Sequence, residues 1–261
     1  MESEDKFYNE AFSRNIGILD EKQQQILKNS TVAIGGLGGG GGIHAYTFAR
    51  LGVGNFHISD MDVFATININ RQAGAVTENM GKAKTEGIKK LILSINPHAK
   101  VTTFDEGIHE NTVDDFLKGV DLYIDGIDFF NIETRRLLYK KTKEKGIFSL
   151  CAGPIGYGSA VLVFDPKGMS FDSYMDINDK MDKTQKLLRF GLGITPTLLQ
   201  RSYFNPDAVN WKEEKAPSLV IGTLLAANLV ATEACKILFG KRSRSEERGE
   251  GKGCRFGGVP Y

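Results

Sequence analysis

Residues 31–42 read TVAIGGLGGGGG, and seven of the last eight positions are glycine. TVAIG is rich in β-branched and apolar residues, which predicts a strand, and GGIHAYTFARLG (41–52) spaces its apolar residues as a helix does. A flexible linker would be flanked by polar sequence, so this context argues against one. We therefore expect a tight turn that joins a strand to a helix.

The turn matches the pattern G-x-G-x-x-G over residues 36–41. In that pattern one glycine makes the turn, one lets backbone amides approach a phosphate, and one lets the helix pack closely on the strand. The N-terminus of the helix adds free amides and a partial positive charge. The glycines predicted to hold a nucleotide are Gly36, Gly38, Gly39 and Gly41.

Strand-like and helix-like segments alternate as far as residue 151. The strands are predicted at 55–60, 100–105, 120–125 and 147–151, with helices between them at 81–95, 110–119 and 131–146. This alternation predicts an α/β fold with a Rossmann-like, open, mainly parallel sheet and helices on both faces. SAVLVF (159–164) begins a smaller antiparallel or crossover region, 170–215 has no clear periodicity, and 219–239 predicts an apolar C-terminal helix.

We divide the chain into four parts by composition. They are a helical leader (1–30), a nucleotide-binding core (31–165), a crossover loop with the C-terminal helix of the same domain (166–240), and a tail (241–261). The tail is charged and is expected to be solvated and flexible. A length of 261 residues and a hydrophobic content of 41% suit one large domain with a substantial core.

The charge balance and the cysteine content narrow the functional classes. Lys and Arg number 33 against 32 for Asp and Glu, so the overall charge does not favour a polyanionic partner. The N-terminus is acidic and polar, unlike an export signal. The three cysteines, Cys151, Cys235 and Cys254, form no Cys-x-x-Cys pair, so neither a disulfide framework nor a zinc site is predicted. We expect a cytoplasmic protein.

The apolar stretch from Leu219 to Phe239 is long enough to cross a membrane. Asn228, Glu233 and Lys236 within it would be costly in lipid. Because Ser218 can cap a helix and Pro217 can start one, we interpret the stretch as a buried or dimer-contact helix. No membrane partner is expected.

An acidic residue closes the second predicted strand. Asp60 lies 24 residues after Gly36, near the spacing at which a carboxylate accepts hydrogen bonds from a ribose hydroxyl. The strand, glycines, helix and acid together predict a nucleotide site. They suit NAD as well as ATP.

The segment after Asp60 favours ATP because it concentrates phosphate-binding residue types. An Arg fork and a Lys point charge are common ligands of phosphate oxygens, and hydride transfer from NAD needs neither. DMDVFATININRQ (60–72) and GKAK (81–84) supply Asp62, Asn68, Arg71, Gln72 and Lys84.

DLYIDGID (121–128) adds Asp125 and Asp128 at the C-terminal edge of the predicted sheet, where one of them can hold magnesium. Each of these polar residues also has an ordinary structural interpretation. The prediction therefore depends on their concentration at one edge.

The run from the glycines through DxD, NxxRQ, GxxK and DxxD resembles the ThiF/MoeB/HesA family, the bacterial relatives of ubiquitin-activating enzymes. The likeness covers roughly residues 12–165 and, more loosely, the apolar C-terminal helix. It implies a homodimer that uses ATP and Mg²⁺ to adenylate a carboxylate. The substrate in that family is usually the C-terminal glycine of a small ubiquitin-like protein, and a peptide is the close variant.

The resemblance also assigns roles to individual residues. It makes Gly39 and its neighbours the phosphate loop, Asp60 the ribose partner and Asp128 the magnesium ligand. Phosphate-binding roles fall to Asn68, Arg71 and Lys84, and Gln72 completes the RQ motif. Arg14 matches an arginine that reaches across the dimer to the partner's triphosphate, although Asn15 stands where the family has glutamine.

The chain departs from the family in several places. It lacks the two Cys-x-x-Cys pairs that bind structural zinc in many relatives, and residues 155–234 contain no cysteine for a thioester step. Cys151 ends a predicted buried strand and is interpreted as a packing residue. Phe129 follows Asp128 where relatives often have Asn or Ser. The expected reaction is adenylation followed by transfer to an external nucleophile.

Three alternatives stay open. A zinc-free variant of similar length would be a tRNA threonylcarbamoyladenosine dehydratase, which the balanced charge disfavours. A second is an NAD(P)-dependent oxidoreductase, in which Arg71, Lys84 and Asp128 would be coincidental. A third is a catalytically silent partner that keeps only the fold. Residues 170–215, with Tyr203 and Phe204, are expected to shape the groove for the acyl substrate.

Overall fold

The computed structural model describes residues 3–195 and 198–241. Its central feature is a six-stranded sheet of order β3-β2-β1-β4-β5-β6. The first five strands are parallel, and β6 runs antiparallel to β5. The strands are β1 (Thr31–Gly35), β2 (Asn55–Ser59), β3 (Lys100–Phe104), β4 (Leu122–Asp125), β5 (Phe148–Ile155) and β6 (Gly158–Phe164). The predicted Rossmann-like fold is confirmed.

Helices cover both faces of the sheet. They are α1 (Glu4–Ala11), α2 (Glu21–Asn29), α3 (Gly39–Leu51), α4 (Lys84–Ile95), α5 (Val113–Phe116), α6 (Ile132–Glu144), α7 (Phe171–Met175), α8 (Lys183–Ile194) and α9 (Val220–Leu238). Helices α3, α4 and α9 pack on one face, while α5 to α8 form the other layer.

Strand alternation divides the core between these two layers. Val32 pairs with Leu122, and both side chains join the cluster beneath α3, α4 and α9. The next pair, Ala33 with Tyr123, faces the opposite layer. Because successive strand residues point to opposite faces, a sheet buried on both sides needs the continuous apolar runs seen in β1 and β4. This arrangement leaves the carboxyl ends of the strands free for a site.

The region 170–215 differs from its prediction of irregular structure. It contains α7 and the 12-residue α8, which begins with a capping box between Asp182 and Gln185. Leu187 and Phe190 of α8 are buried against the second cluster. The capping box stabilises the start of α8, and burial of its apolar side chains stabilises the rest of the helix. The weak periodicity of this polar segment does not indicate that burial.

The C-terminal helix is present, but its start differs from the prediction. It begins at Val220 after the N-cap residue Leu219, without a side-chain cap, so Ser218 and Pro217 do not have the predicted roles. The 19-residue α9 is long and apolar enough to cross a membrane, and 39% of its apolar stretch is buried inside the protein. It packs against α3, β5 and β6, as a core helix does. The division of the chain into four parts stays a prediction, and all of the predicted tail except Lys241 lies outside the described residues.

Candidate nucleotide-binding site

The glycine turn lies where the ends of β1 and β4 meet the start of α3. Gly36 has a φ of +81°, and a Cβ there would lie 2.2 Å from the carbonyl oxygen of Gly126. A Cβ at Gly41 would lie 1.8 Å from the carbonyl oxygen of Gly36. Real side chains do not tolerate such contacts, so both positions require glycine for backbone packing. The pattern thus has a structural requirement in addition to its predicted role toward phosphate.

Helix α3 begins with backbone amides only. Its N-cap is Gly38, and no side chain in the described part of the chain caps it. The first turn of a helix leaves amide groups without intrahelical partners, and the helix dipole makes this end favourable for an anion. The first turn consists of glycines 39–42, so it carries no side chains of its own.

Asp60 supports the glycine turn directly. Its Oδ2 accepts a hydrogen bond from the Leu37 amide at 2.7 Å, and its Oδ1 accepts one from the Asp62 amide at 2.9 Å. Burial raises the pKa of the Asp60 carboxyl, while Lys84 and the two amides act in the opposite direction. The carboxylate therefore fixes the loop that follows β1, and its contact with a ribose stays a prediction.

Lys84 is the first residue of α4 and is almost completely buried. Its Nζ lies 2.7 Å from Asp62 Oδ2 and 3.7 Å from Asp60 Oδ1. The Asp62 side chain is 65% exposed, whereas that of Asp60 is 9% exposed. The ammonium therefore lies between one exposed carboxylate, Asp62, and one buried carboxylate, Asp60.

Three predicted residues follow in and after a 3₁₀ turn, Thr66–Asn68. A Cβ on Gly39 would lie 3.5 Å from Cγ of Arg71, so this arginine borders the glycine turn. Its guanidinium donates to Asn70 Oδ1 at 2.9 Å and to the Ile67 carbonyl at 3.2 Å. Asn68 Oδ1 accepts from the Ala65 amide at 2.9 Å, which holds the turn.

Gln72 is buried beneath the glycine turn. Its Nε2 lies 3.8 Å from the position of a Cβ on Gly38. Its Oε1 has no hydrogen-bond partner among the described residues. A buried amide oxygen without a partner is uncommon in folded proteins.

The two aspartates after β4 have different surroundings. Asp125 is buried, and its Oδ2 accepts from Arg135 Nε at 2.7 Å and from the Tyr139 hydroxyl at 3.1 Å. That carboxylate is occupied by protein partners. Asp128 is exposed at the sheet edge, and only its Oδ1 accepts a described hydrogen bond, from the Phe130 amide at 2.9 Å. The chemistry of an exposed carboxylate oxygen, on the loop whose Gly126 contacts Gly36, fits a magnesium ligand.

Arg14 does not join the other predicted residues within one chain. It lies exposed on a 3₁₀ turn, Ser13–Asn15, with no ion pair to a described residue. The neighbouring Asn15 donates to the carbonyl of Leu51, the last residue of α3. Because α3 has 13 residues, this end lies roughly 18 Å from the glycine turn. A role for Arg14 requires the site of another protomer.

Two neighbours of the glycine turn were not predicted. Gly126 meets Gly36, and a Cβ on Gly39 would lie 3.1 Å from Cγ2 of Thr223 on α9. Gly126 lies within DLYIDGID (121–128), from which only the two acids were predicted as site residues. Thr223 lies far along the chain in an apolar helix, and its neighbouring residues match no nucleotide-binding motif.

Burial raises the thiol pKa of both described cysteines. Cys151 is buried in the middle of β5 instead of at its end, and burial raises the pKa of its thiol. Burial also raises the pKa of Cys235 to about 11. Since thiolates are the reactive form, neither residue suits a thioester step at neutral pH. Cys254 lies outside the described residues.

Comparison with known proteins agrees with this geometry. A model of the ThiF family matches residues 12–251, and the chain therefore belongs to the ThiF family. It is 37% identical over 118 residues to the tRNA threonylcarbamoyladenosine dehydratase of Bacillus subtilis, covering 45% of this chain and 46% of the relative. It is 28% identical over 219 residues to the probable adenylyltransferase/sulfurtransferase MoeZ of Mycobacterium tuberculosis, covering 83% of this chain and 50% of the relative.

A solved structure shows the same fold. It is the Escherichia coli tRNA N6-threonylcarbamoyladenosine dehydratase in complex with ATP, with a TM-score of 0.63 and 20% identity. The alignment covers 89% of this chain and 95% of that one. The chain spans about half the length of the curated relatives it matches. The resemblance to the ThiF family is confirmed.

Proposed function

We propose that this protein uses ATP and Mg²⁺ to convert a carboxylate into an acyl adenylate. The observation that carries the proposal is the uncapped, all-glycine first turn of α3 with Arg71 beside it. Lys84 donates to Asp62 and lies 3.7 Å from Asp60 Oδ1, the other oxygen of Asp60 binds the Leu37 amide in the same turn, and Asp128 lies beyond Gly126 at the same edge. An NAD site has no need for this set of charged groups.

The proposed step is a substitution at the α-phosphorus of ATP. A carboxylate oxygen forms a bond to that phosphorus, and the bond to pyrophosphate breaks, so the electron pair leaves with pyrophosphate. A carboxylate is already ionised at neutral pH and needs no base. The contributions left to the protein are positioning and stabilisation of charge on the phosphates.

Individual residues contribute to this step through charge and position. Arg71 and Lys84 would bind the phosphate oxygens, and the amides of the α3 first turn would cradle them. Asp128 would hold Mg²⁺, which neutralises phosphate charge when bound. Of the two aspartates after β4, we favour Asp128 for this role because Arg135 and Tyr139 already occupy Asp125.

For the substrate we favour the C-terminus of a ubiquitin-like protein or a peptide. Three cations of the crossover region are paired with acids: Lys183 with Glu214, Arg189 with Asp176 and Lys215 with Glu213. Binding of RNA depends on cations that release counterions from phosphates, and paired cations contribute little. The acceptor nucleophile would be external, because burial raises the thiol pKa of both described cysteines.

A second candidate is favoured by the relatives. The match to a tRNA threonylcarbamoyladenosine dehydratase suggests a carboxyl group on a modified tRNA nucleoside as the substrate. The activation chemistry would be the same, so the site alone supports both. A cytoplasmic location suits either substrate.

The test is exchange of labelled pyrophosphate into ATP in the presence of Mg²⁺. Candidate small proteins and peptides encoded nearby form one arm, and tRNA carrying threonylcarbamoyladenosine forms the other. We expect exchange with one carboxylate substrate only. Arg71→Ala, Lys84→Ala and Asp128→Ala should each lower it by about 100-fold or more, since each removes a charge contact to the phosphates or metal.

The matched control is Lys82→Ala, which removes an exposed cation two residues from Lys84. It should retain exchange within about 2-fold. Binding of ATP and of NAD is measured in the same samples. A protein that binds NAD and not ATP would contradict the proposal, and exchange that survives Asp128→Ala would contradict the assigned metal ligand.

A further inference from the structure

Arg135 on α6 is almost completely buried and lies under the loop that carries Asp128. Its Nε donates to Asp125 Oδ2 at 2.7 Å. One terminal nitrogen donates to the carbonyl of Asp128 at 3.2 Å, and the other donates to the carbonyl of Ile127. One guanidinium therefore binds three acceptors within residues 125–128.

The loop is also fixed by its own aspartates. Asp125 Oδ1 accepts from the Ile127 amide at 3.0 Å, while its other oxygen binds Arg135. Asp128 Oδ1 accepts from the Phe130 amide at 2.9 Å. The planar fork of an arginine can bind a carboxylate and two carbonyls at once, whereas lysine offers one point charge. The geometry of the Asp128 backbone thus depends on Arg135.

The other surface of the guanidinium meets the crossover region. The centre of the Phe190 ring on α8 lies 4.2 Å from Cζ of Arg135. Phe190 also packs against Phe129, with ring centroids 5.6 Å apart. Arg135 and Phe129 therefore connect the loop after β4 to α8, which belongs to the region expected to shape the substrate groove.

We infer that Arg135 is a positioning residue that sets the orientation of Asp128 toward Mg²⁺ and couples it to α8. The inference rests on the proposed function. A purely structural ion pair would involve only Arg135 and Asp125. Here two further nitrogens of Arg135 donate to the carbonyls of Ile127 and Asp128, and Asp128 is the proposed metal ligand. Groups that orient a metal ligand typically change metal affinity by about 10-fold to 100-fold when they are replaced.

The test is Arg135→Lys, which keeps the buried charge near Asp125 and removes the fork. We expect binding of ATP without metal to stay within about 2-fold. Binding of Mn²⁺ to the complex with a non-hydrolysable ATP analogue, followed by electron paramagnetic resonance, should weaken by about 10-fold. The Mg²⁺ concentration needed for half-maximal exchange should rise by the same factor.

The neighbouring Arg136→Lys is the matched control. Arg136 binds Asp172, Asp179 and Glu133 instead of the loop after β4, so its replacement should leave Mn²⁺ binding unchanged. If Arg135→Lys does not fold, Phe190→Leu is measured instead, because it removes the aromatic contact and leaves the ion pair intact. We expect it to weaken Mn²⁺ binding by about 3-fold through the loss of support for the guanidinium.

The outcomes separate this inference from the proposed function. A wild-type protein that binds neither the ATP analogue nor Mn²⁺ would overturn both. A wild-type protein that binds them, with a folded Arg135→Lys variant of unchanged Mn²⁺ affinity, would overturn the positioning role alone. An equal loss in Arg136→Lys would show a general effect of α6 and would also overturn it.

Discussion

His44 lies in α3, close to the glycine turn, and is 1% exposed. Its Nδ1 has no hydrogen-bond partner within the described residues. Burial lowers the pKa of the imidazole from 6.5 to about 4. The folded protein therefore holds this side chain neutral at neutral pH, in the helix predicted to bind a triphosphate.

The depressed pKa of His44 predicts a loss of stability in acid. Between the unfolded pKa of 6.5 and the folded pKa of about 4, the unfolded chain binds a proton that the folded chain does not. Stability therefore falls as pH drops through this window, by up to about 3 kcal/mol. We expect His44→Gln to reduce this part of the pH dependence, measured by urea unfolding at pH 7.5 and pH 4.5.

Carboxylates also titrate in that window, so the comparison is between variants at each pH. His98→Gln replaces an exposed histidine and should keep the wild-type pH dependence. An identical pH dependence in the wild type and in His44→Gln would contradict the assignment to His44.

At the scale of elements, the site depends on how closely α3 approaches β1 and β4. Gly41→Ala would place a methyl group 1.8 Å from the Gly36 carbonyl and must move the helix away from the strand. We expect a loss of about 3 kcal/mol in the free energy of unfolding, measured by urea with far-ultraviolet circular dichroism.

Gly40→Ala is the neighbouring control. The nearest atom to its new methyl group would be His44 Nε2 at 3.7 Å, which is an ordinary contact. Alanine is also the better helix former, so stability should stay equal or rise by about 0.5 kcal/mol. Equal destabilisation by both substitutions would mean that close packing is not the reason for glycine at position 41.

Elements with a strong local pattern were predicted well. The apolar run of β1, the glycines and the periodic start of α3 identified the first strand-turn-helix unit, because each signal comes from neighbouring residues. Helix α8 was missed, since its buried face depends on contact with α6 and α7 and its segment is polar. The sequence pattern alone did not separate Asp125 from Asp128, and only the family resemblance favoured Asp128; the structure adds that Arg135 occupies Asp125.

At the scale of the whole molecule, α9 leaves apolar side chains exposed. The exposed residues of its first two turns are Val220, Ile221, Leu224 and Leu225, each at least 40% exposed. The Asn70 side chain donates to the Ser218 carbonyl at 3.0 Å, which joins this surface to the loop before Arg71. A contiguous apolar surface beside a site suggests a protein contact, and we propose that it is part of a homodimer interface.

The dimer proposal predicts that Ile221→Glu with Leu225→Glu converts the protein to a monomer. Charges placed in a buried interface are costly, so the dissociation constant should rise by about 100-fold or more. Sedimentation velocity over a concentration series measures this change. The control is Leu192→Glu, which alters a leucine on α8 that is 58% exposed. A monomeric wild-type protein would contradict the proposal and would leave Arg14 without a site.

The amino-acid sequence by itself determined the features that depend on near neighbours. These are the alternating strands and helices, the glycine turn, and the acids and cations that follow consecutive strands toward one sheet edge. Only the tertiary structure decided which of them are free to bind. Asp125 is occupied by Arg135, Asp62 pairs with Lys84, and Thr223 meets the glycine turn from a distant helix. Such contacts depend on which surfaces pack together, and packing is set by shape and burial over the whole chain.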